Sequence, residues 1–428
     1  MSKNLCVIAD KRQGKIVSGY TKKSIRKVKI FTLGPTNDTK RMFMKNFIPY
    51  GQQWITEDDK RAVLKVLGSD FLTQGPKVEE FEKAICVYTG AKYCVAVSNG
   101  TAALHLAVLA LDLKPDAEGI TTPNTFVASA NCLVYAGLRP VFADIDERTY
   151  NINPNEIKKK ITRKTKVIVT VDFTGRPADM KRIYNIAKQK KIHIIEDASH
   201  AIGSRYDSKY KVGSCRYCDL TTFSFHPVKT ITCGEGGAIT TNKKSLYEKL
   251  KLLRCHGIAK DQKILAKKIG SWYYEMRELG YNYRLTDLQA AIGISQLKKI
   301  NRFIKRRRAI VKKYNAAFKN IECIIIPPAD AVNNSACHLY VVQIAFGRLG
   351  KTRKQVMEEL RNKHIGTQVH YIPVHLQPYY QKQFGYKEGD FPVAEAYYAQ
   401  ALSLPLYPKM TNYEINYVIK AIKNVIGK

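Results

Sequence analysis

Between residues 93 and 225, short apolar runs rich in β-forming residues alternate with segments of helical periodicity. The runs that predict strands are 93–97, 119–122, 140–145, 166–173, 192–196 and 220–225. Helices are predicted between several of them, at 102–111, 125–136 and 179–190. This alternation indicates an α/β fold with a mostly parallel central sheet and helices on both faces. Because ligands bind at the carboxyl ends of parallel strands, the turns after these strands are the first candidates for a functional site.

The last of these strands leads to Lys229 and then to a glycine-rich turn at 234–237. Pro227 ends the strand, because proline has no N–H to donate to a neighbouring strand. Glycine in the turn predicts either left-handed backbone angles or the close approach of another group. Burial lowers the pKa of a lysine and frees its amine for Schiff-base chemistry. An ordinary surface lysine in a loop is the alternative.

Gly100 and Thr101 stand between the first strand and the helix that follows it. A helix that begins in such a turn points free N–H groups and the positive end of its dipole at an anion. Thr101 adds a hydroxyl donor, so the turn predicts a phosphate site. A plain N-cap at Ser98 or Asn99 explains the same residues equally well.

Three other residues follow predicted strands. Asp197 ends the strand 192–196, where a carboxylate is costly unless a cation pairs with it. It is a candidate counter-ion for a protonated ring nitrogen, with a salt bridge or a helix N-cap as the alternatives. Phe126 is a candidate to stack on a flat ligand ring, with a place in the hydrophobic core as the alternative. His200 is a candidate to cap a helix, to form a hydrogen bond in the core, or to contact an oxygen on the ligand ring.

The formal net charge is +35, which is typical of proteins that bind nucleic acids or small anions. The basic residues are spread along the chain and accompany no nucleic-acid-binding motif. We therefore expect no nucleic-acid partner, and we interpret the charge as a lysine-rich surface that attracts an anionic small substrate. The basic run at 305–308 is interpreted in the same way, as a solvated helix face.

No apolar run approaches the roughly 20 residues that span a bilayer, and the apolar patch at 5–9 is too short for a signal peptide. We expect no membrane partner. The ten cysteines have no framework spacing. Cys215 and Cys218 lack a second Cys or His pair, so we expect no metal site. Free thiols favour a cytoplasmic protein.

The sequence predicts three regions. Residues 1–46 are rich in Lys and Arg and weakly periodic, so we expect a basic extension of uncertain order. Met44, at its end, is a candidate alternative start that the sequence does not decide. Residues 47–301 carry the predicted sheet and form a large domain, and 302–428 form a smaller α/β domain.

Together these turns supply a phosphate site, a carboxylate, an aromatic ring and a lysine at the carboxyl ends of one sheet. These are the groups that hold pyridoxal phosphate, since the lysine forms a Schiff base and the carboxylate keeps the pyridine nitrogen protonated. Each signal alone is weak. Their order along one predicted sheet is the stronger argument for this cofactor.

From Phe47 to the C-terminus, the chain resembles the sugar aminotransferases of fold-type I that are named after DegT, DnrJ and StrS. The matching segments are 98–101, 122–126, 196–201, 223–229, 234–237 and 280–284. The resemblance implies that Lys229 is the catalytic lysine, which forms the Schiff base and moves the proton as general base. Related sugar dehydratases carry His at this position, so Lys229 favours transamination.

The same resemblance implies the roles of the other cofactor-binding residues. Asp197 pairs with the pyridinium nitrogen, Phe126 stacks on the ring, and His200 lies near the ring hydroxyl. The phosphate is held by Gly100, Thr101, Ser224 and, from the neighbouring subunit, Asn282. The active unit would therefore be a homodimer with shared active sites, and L-glutamate would be the amino donor.

Within the family, the pattern is closest to the UDP-4-amino-4,6-dideoxy-N-acetyl-β-L-altrosamine transaminases of pseudaminic acid synthesis. Segments 69–75, 272–275 and 370–379 carry this closer match. It implies a UDP-4-keto-6-deoxy sugar as the substrate. The implied substrate-binding residues are Tyr50, Asp70, Phe71, Leu72, Thr73, Val369, His370, Tyr371 and Ile372.

Two alternatives stay open. A viosamine-type or dTDP-4-keto-6-deoxyhexose aminotransferase would differ mainly in the stereochemistry and nucleotide of its substrate. A non-catalytic regulatory or nucleic-acid-binding protein on the same fold would use the positive charge, but an intact Lys229 and Asp197 argue against it.

Overall fold

The computed structural model describes residues 47–428 except 261–264, 268, 329–330 and 428, and the backbone of Ile8–Ala9 and Ile16–Val17. The chain divides into two compact units, 1–46 and 47–428. In the first unit, Ile8–Ala9 and Ile16–Val17 pair as antiparallel strands. The rest of the predicted extension, with Met44, lies outside the described residues. The boundary predicted at 302 falls inside the helix Ile300–Phe318, and the division there stays a prediction.

A seven-stranded sheet forms the centre of the second unit. In spatial order its strands are Tyr93–Val97, Gly237–Thr241, Leu220–Ser224, His193–Asp197, Thr165–Val171, Glu118–Thr121 and Arg139–Phe142. Gly237–Thr241 is antiparallel to both neighbours, and every other pairing is parallel. The predicted α/β class with a mostly parallel sheet is confirmed. Six strands consequently end at one edge, where the strand Gly237–Thr241 begins.

Helices pack on this sheet because their buried residues are spaced to form apolar faces. Gly100–Leu109 is buried almost all round, which fits a helix enclosed between the sheet and other elements. In chain order, the α-helices that precede residue 300 are Glu57–Leu67, Pro76–Thr89, Gly100–Leu109, Ala128–Tyr135, Pro154–Lys160, Met180–Lys190, Lys244–Arg254 and Asp287–Leu297. No described helix has the length and apolar character needed to cross a membrane.

The C-terminal part builds a second, smaller sheet. Its strands Ile324–Ile325, Tyr340–Ile344 and Ala401–Leu404 are antiparallel. The accompanying helices are Ile300–Phe318, Ala331–Asn334, Arg353–Asn362, Pro378–Phe384, Pro392–Gln400 and Asn412–Val425. A core of aliphatic and aromatic side chains, including Tyr314, Val342 and Ile422, lies between this sheet and its helices.

Ile258–Ala259 and Glu275–Met276 pair as two short antiparallel strands outside the large sheet. One local prediction needs correction. The basic run at 305–308 is only partly a solvated face, because Arg307 is 1% exposed. Its guanidinium donates to the carbonyls of His338 at 3.1 Å and Leu406 at 2.8 Å. These backbone acceptors allow burial of a charge that the sequence pattern alone places in water.

Candidate active site

The carboxyl edge of the large sheet gathers the predicted cofactor residues. The parallel order places the turns after Tyr93–Val97, Glu118–Thr121, His193–Asp197 and Leu220–Ser224 along one edge. These turns carry Gly100, Phe126, Asp197 and Lys229. Residues that are far apart in the chain thus reach one cleft, as the alternation of strands and helices predicts.

The turn at Gly100 has the geometry of an anion site. Asn99 caps the helix, because its side chain accepts the N–H of Ala102 at 2.8 Å. The backbone carbonyl of Asn99 accepts the N–H of Ala103 at 3.1 Å. Within the described residues, the N–H groups of Gly100 and Thr101 are left without an acceptor. The N-cap and the phosphate site, which the sequence offered as alternatives, are therefore compatible with each other.

Ser224 and the glycine-rich turn pack against this helix start. A methyl group added at Gly100 would lie 2.8 Å from the Cβ atom of Ser224, so no larger residue fits between them. A methyl group added at Gly237 would lie 2.3 Å from the backbone oxygen of Asn99. Gly234, by contrast, has φ +81° and open space around it. The turn thus uses glycine for both predicted reasons, and the group that approaches closely is the turn at 99–100.

Asp197 is 5% exposed and holds its carboxylate with two serines. Its Oδ2 atom accepts from Ser129 Oγ at 2.6 Å. Its Oδ1 atom accepts the hydroxyl of Ser199 at 2.5 Å and the N–H of the same residue at 3.1 Å. Hydrogen bonds to the charged form stabilise a buried carboxylate. No described cation forms a salt bridge with it, so the carboxylate is available to a cationic group in the cleft.

Lys229 is half-buried, and its backbone N–H donates to His226 O at 2.9 Å. Burial lowers the pKa of Lys229 to about 8, although the nearby Asp197 carboxylate raises it. Desolvation exceeds the carboxylate's attraction here, as the sequence argument expects for a reactive amine. Near neutral pH, roughly a tenth of the amine is unprotonated, against roughly one part in several thousand for an ordinary lysine.

A cluster of neutral histidines and a tyrosine lies beside this lysine. His200 Nε2 lies 3.2 Å from Tyr371 Oη, and its ring is 4.4 Å from that of His338. Burial, and then the positive charge of Lys229, keep the pKa of His200 well below its usual range. Burial and the Asp197 charge raise the pKa of Tyr371, so its phenol keeps its proton. In the described structure, His200 Nδ1 is buried and has no hydrogen-bond partner.

The segment 369–372 lies over the same edge. Val374 donates its N–H to Pro123 O at 2.9 Å, which fastens the segment to the turn before Phe126. The Tyr371 ring is 6.2 Å from that of Phe126, and the His370 ring is 5.6 Å from that of Tyr50. His370 is buried with Nδ1 2.7 Å from Ser403 Oγ, whereas Val369 is half-buried and Ile372 is exposed. Phe126 is 58% exposed, so its ring is open to a flat ligand.

The other predicted site residues are not brought to Lys229 within the described chain. Asp70, Phe71, Leu72 and Thr73 form an exposed loop that packs on the start of the helix Asp287–Leu297, where Leu72 O accepts the Asp287 N–H at 3.0 Å. Asn282 is exposed, and its predicted target belongs to a neighbouring subunit. The roles of these residues stay predictions.

The sequence arguments missed Ser129 and His338. Ser129 reaches Asp197 from the helix Ala128–Tyr135, and its Oγ also lies 2.8 Å from Thr125 Oγ1. His338 comes from the C-terminal part, and its ring contacts that of His200 at a tilt of 39°. Neither residue belongs to a short motif that indicates its partner. The only sequence signal is polarity at positions where apolar residues would otherwise face the core.

The cleft fits pyridoxal phosphate by features of its own. Two free helix N–H groups, an open aromatic face, a buried carboxylate and an unpartnered imidazole nitrogen match a phosphate, a flat ring, a protonated ring nitrogen and a ring oxygen. Unpartnered buried polar atoms are rare in folded proteins and call for a bound partner. Among the described residues, no group of three or more His, Cys, Asp and Glu could hold a metal ion.

Comparisons with known proteins identify the family of the chain. Residues 53–423 match the DegT/DnrJ/EryC1/StrS aminotransferase family. The spore coat polysaccharide biosynthesis protein SpsC of Bacillus subtilis is 42% identical over 382 residues, which are 89% of this chain and 97% of the relative.

Solved structures show the same architecture. PseC of Helicobacter pylori, an aminotransferase involved in the biosynthesis of pseudoaminic acid, is 32% identical with a TM-score of 0.83, and the match covers 89% of this chain and 99% of that one. NtdA of Bacillus subtilis, solved with bound cofactor PMP, is 30% identical with a TM-score of 0.76 over 87% and 83% of the two chains. The chain therefore belongs to the DegT/DnrJ/EryC1/StrS family, and it is a sugar aminotransferase that uses pyridoxal phosphate.

Proposed function

We propose that this aminotransferase moves an amino group from L-glutamate to C4 of a UDP-4-keto-6-deoxy N-acetyl hexose, in a pseudaminic acid-type biosynthesis. The observation that supports the transfer itself is the environment of Lys229. This lysine lies near Asp197 at the carboxyl edge of the sheet, and its pKa is lowered to about 8. The choice of sugar is supported by the similarity to PseC, a protein of pseudoaminic acid biosynthesis.

In this proposal, the helix start holds the cofactor. The N–H groups of Gly100 and Thr101, with Ser224, would bind the phosphate at the positive end of the helix Gly100–Leu109. Asp197, fixed by Ser129 and Ser199, would face the ring nitrogen and favour its protonated form. When bound, pyridoxal phosphate supplies an electron sink for the carbon that loses its proton.

Lys229 would then move that proton. An amine with a pKa of about 8 serves as base and acid near neutral pH, because both of its forms are populated. His200 stays neutral and is oriented by Tyr371 at 3.2 Å, so it can hydrogen-bond a ring oxygen without adding positive charge beside Lys229.

The segment 369–372 and Tyr50 would orient the sugar. They border the cleft on the side of Phe126 and His200, through the Phe126–Tyr371 and Tyr50–His370 ring contacts. An asymmetric wall of aromatic and imidazole groups suits a sugar ring, whose polar and apolar faces differ. The exposed loop at 70–73 and Asn282 would complete the site in a homodimer with shared active sites. We place the enzyme in the cytoplasm, where its nine described cysteines stay free thiols.

The test is incubation of the purified enzyme with L-glutamate and a panel of UDP- and dTDP-4-keto-6-deoxy sugars. Mass spectrometry and NMR of the product would identify the nucleotide, the carbon that carries nitrogen and its stereochemistry. We expect a 4-amino product from the UDP-N-acetyl substrate, and no product with Lys229→Ala. A viosamine-type or dTDP-linked product would show that the substrate differs from the one proposed here. If the enzyme aminated none of the 4-keto sugars, the whole proposal would be refuted.

A further inference from the structure

The basic run at 305–308 lies on the helix Ile300–Phe318, and its side chains have separate surroundings. Arg307 is buried against backbone carbonyls, and Arg306 donates to the carbonyl of Met410 at 2.5 Å. Lys305 and Arg308 point elsewhere, to a cavity that they share with Asn301 and Lys312. These four positions recur at helical spacing, so they form one stripe along the helix.

The stripe borders a cavity of about 540 Å³. Its other walls come from the end of the helix Pro76–Thr89, the loop 203–211 and Asn333. The basic residues that line it are Arg205, Lys211, Lys305, Arg308 and Lys312, and no carboxylate is among the described lining residues. Concave clusters of one charge sign focus the potential and concentrate counter-ions.

None of these five cations has an acidic partner within the described chain. Lys211 donates to Tyr88 O at 2.8 Å, Arg308 to Ser335 O at 2.9 Å and Arg205 to Ser208 O at 2.9 Å. Backbone carbonyls therefore orient Arg205, Lys211 and Arg308, and within the described chain no carboxylate forms a salt bridge with them. Lys299, close by in the chain, is instead paired with Asp59 at 2.6 Å.

The charges of Arg205 and Lys211 also act on each other. Burial, and then the charge of Arg205, lower the pKa of Lys211. An anion in the cavity would relieve this repulsion, and it would accept charge-assisted hydrogen bonds from guanidinium and ammonium groups that are already oriented. Asn301 and Asn333 add amide groups at the rim. A volume of this size accommodates a small molecule rather than a single ion.

We propose that this cavity binds a small molecule with two or more linked phosphates, at a site separate from the Lys229 cleft. The shared chemistry is the diphosphate group, whether free or part of a nucleotide. Five cations match several negative charges that lie a few ångströms apart, whereas a monovalent anion would leave most of them unpaired. The lining residues include none of the residues that we assign to the active site.

The test is titration calorimetry of the cofactor-loaded enzyme with inorganic pyrophosphate and, separately, with UDP. The variant Lys305→Gln/Lys312→Gln removes two exposed charges of the stripe. Lys382→Gln/Lys387→Gln removes two exposed charges that do not line the cavity. We expect pyrophosphate to bind the wild type at this site, and the stripe variant to bind it roughly tenfold more weakly. The control variant should change the affinity by less than about twofold.

Equal weakening in both variants would mean that pyrophosphate follows the overall charge of the surface, and it would overturn the proposal. Undiminished binding in the stripe variant, or no binding to the wild type, would overturn it as well. Binding of UDP that the stripe variant loses in the same proportion would identify nucleotides as ligands of the site, whereas loss for pyrophosphate alone would identify free diphosphate. Hydrogen exchange of the wild type provides a second readout, with pyrophosphate expected to protect 203–211 and 301–312.

Discussion

Gly237 is the point where the strand Gly237–Thr241 passes closest to the proposed phosphate site, and we predict that Gly237→Ala damages that site. The added methyl group would lie 2.3 Å from Asn99 O and 3.0 Å from Gly100 N. Unstrained contacts between such atoms are nearer 3.5 Å, so strand and turn must separate by about 1 Å. Overpacking of this kind costs about 1–3 kcal/mol of unfolding free energy.

The consequence for the cofactor should be larger than the loss of stability suggests. The atoms that must move belong to the turn whose Gly100 and Thr101 N–H groups would bind the phosphate. Each hydrogen bond to a charged acceptor is worth about 1.5–3 kcal/mol, so misplacing one donor should weaken cofactor affinity about tenfold or more. The measurement is a titration of the apo-protein with pyridoxal phosphate, followed by its visible absorbance.

Gly234→Ala is the matched control in the same turn. Gly234 has φ +81° and nothing within 4 Å of an added methyl group, so alanine there meets strain but no collision. Left-handed strain costs about 1–2 kcal/mol, close to the cost expected at Gly237, so both variants should lose similar stability in urea. Only Gly237→Ala should lose cofactor affinity. Equal affinity in the two variants would refute the assignment of this turn to the phosphate.

Three further predictions concern other buried groups. Ser129→Ala removes a 2.6 Å hydrogen bond to the buried Asp197, so the unfolding free energy of the apo-protein should fall by about 1.5–3 kcal/mol in urea; a change below about 0.5 kcal/mol would contradict the stabilising role of this hydrogen bond. Lys229 in the apo-protein should react with an amine-modifying reagent at half its maximal rate near pH 8, because its pKa is lowered from 10.5, and peptide mass spectrometry would measure this; a midpoint above pH 10 would show that the amine is not desolvated. Lys299→Met leaves the 1% exposed Asp59 carboxylate without its cation and should cost about 3–5 kcal/mol of unfolding free energy, of which Asp59→Asn in the same chain should restore part; equal instability of the single and double variants would argue against the pair.

Much of the fold was predictable because its signals are local. Alternating strand and helix patterns come from β-forming residues and apolar spacing within short windows, and they identified six of the seven strands of the large sheet within a few residues of their bounds. The strand Gly237–Thr241 was not predicted, although it lies between two strands that were. Its first residue, Gly237, belongs to the predicted glycine-rich turn, and one of its two antiparallel partners, the strand Tyr93–Val97, lies more than a hundred residues away in the chain.

The site was predictable to the extent that strand ends mark it. Lys229, Asp197, Phe126 and Gly100 each follow a strand, and parallel pairing brings such positions together. Ser129 and His338 were missed, because a hydrogen bond to Asp197 or a ring contact with His200 leaves no periodic trace in the sequence.

The sequence by itself determined the α/β class and the cofactor, and it predicts the lysine that would serve that cofactor, since these depend on residue types at the ends of locally encoded strands. Only the tertiary structure decided how each charge is used. It buried Arg307 against carbonyls, left its neighbours Lys305 and Arg308 beside a cavity with no acidic partner among the described residues, and lowered the pKa of Lys229 to about 8. The reason is that the free energy of a charge depends on the solvent and dipoles around it, and these surroundings come from elements distant in the chain.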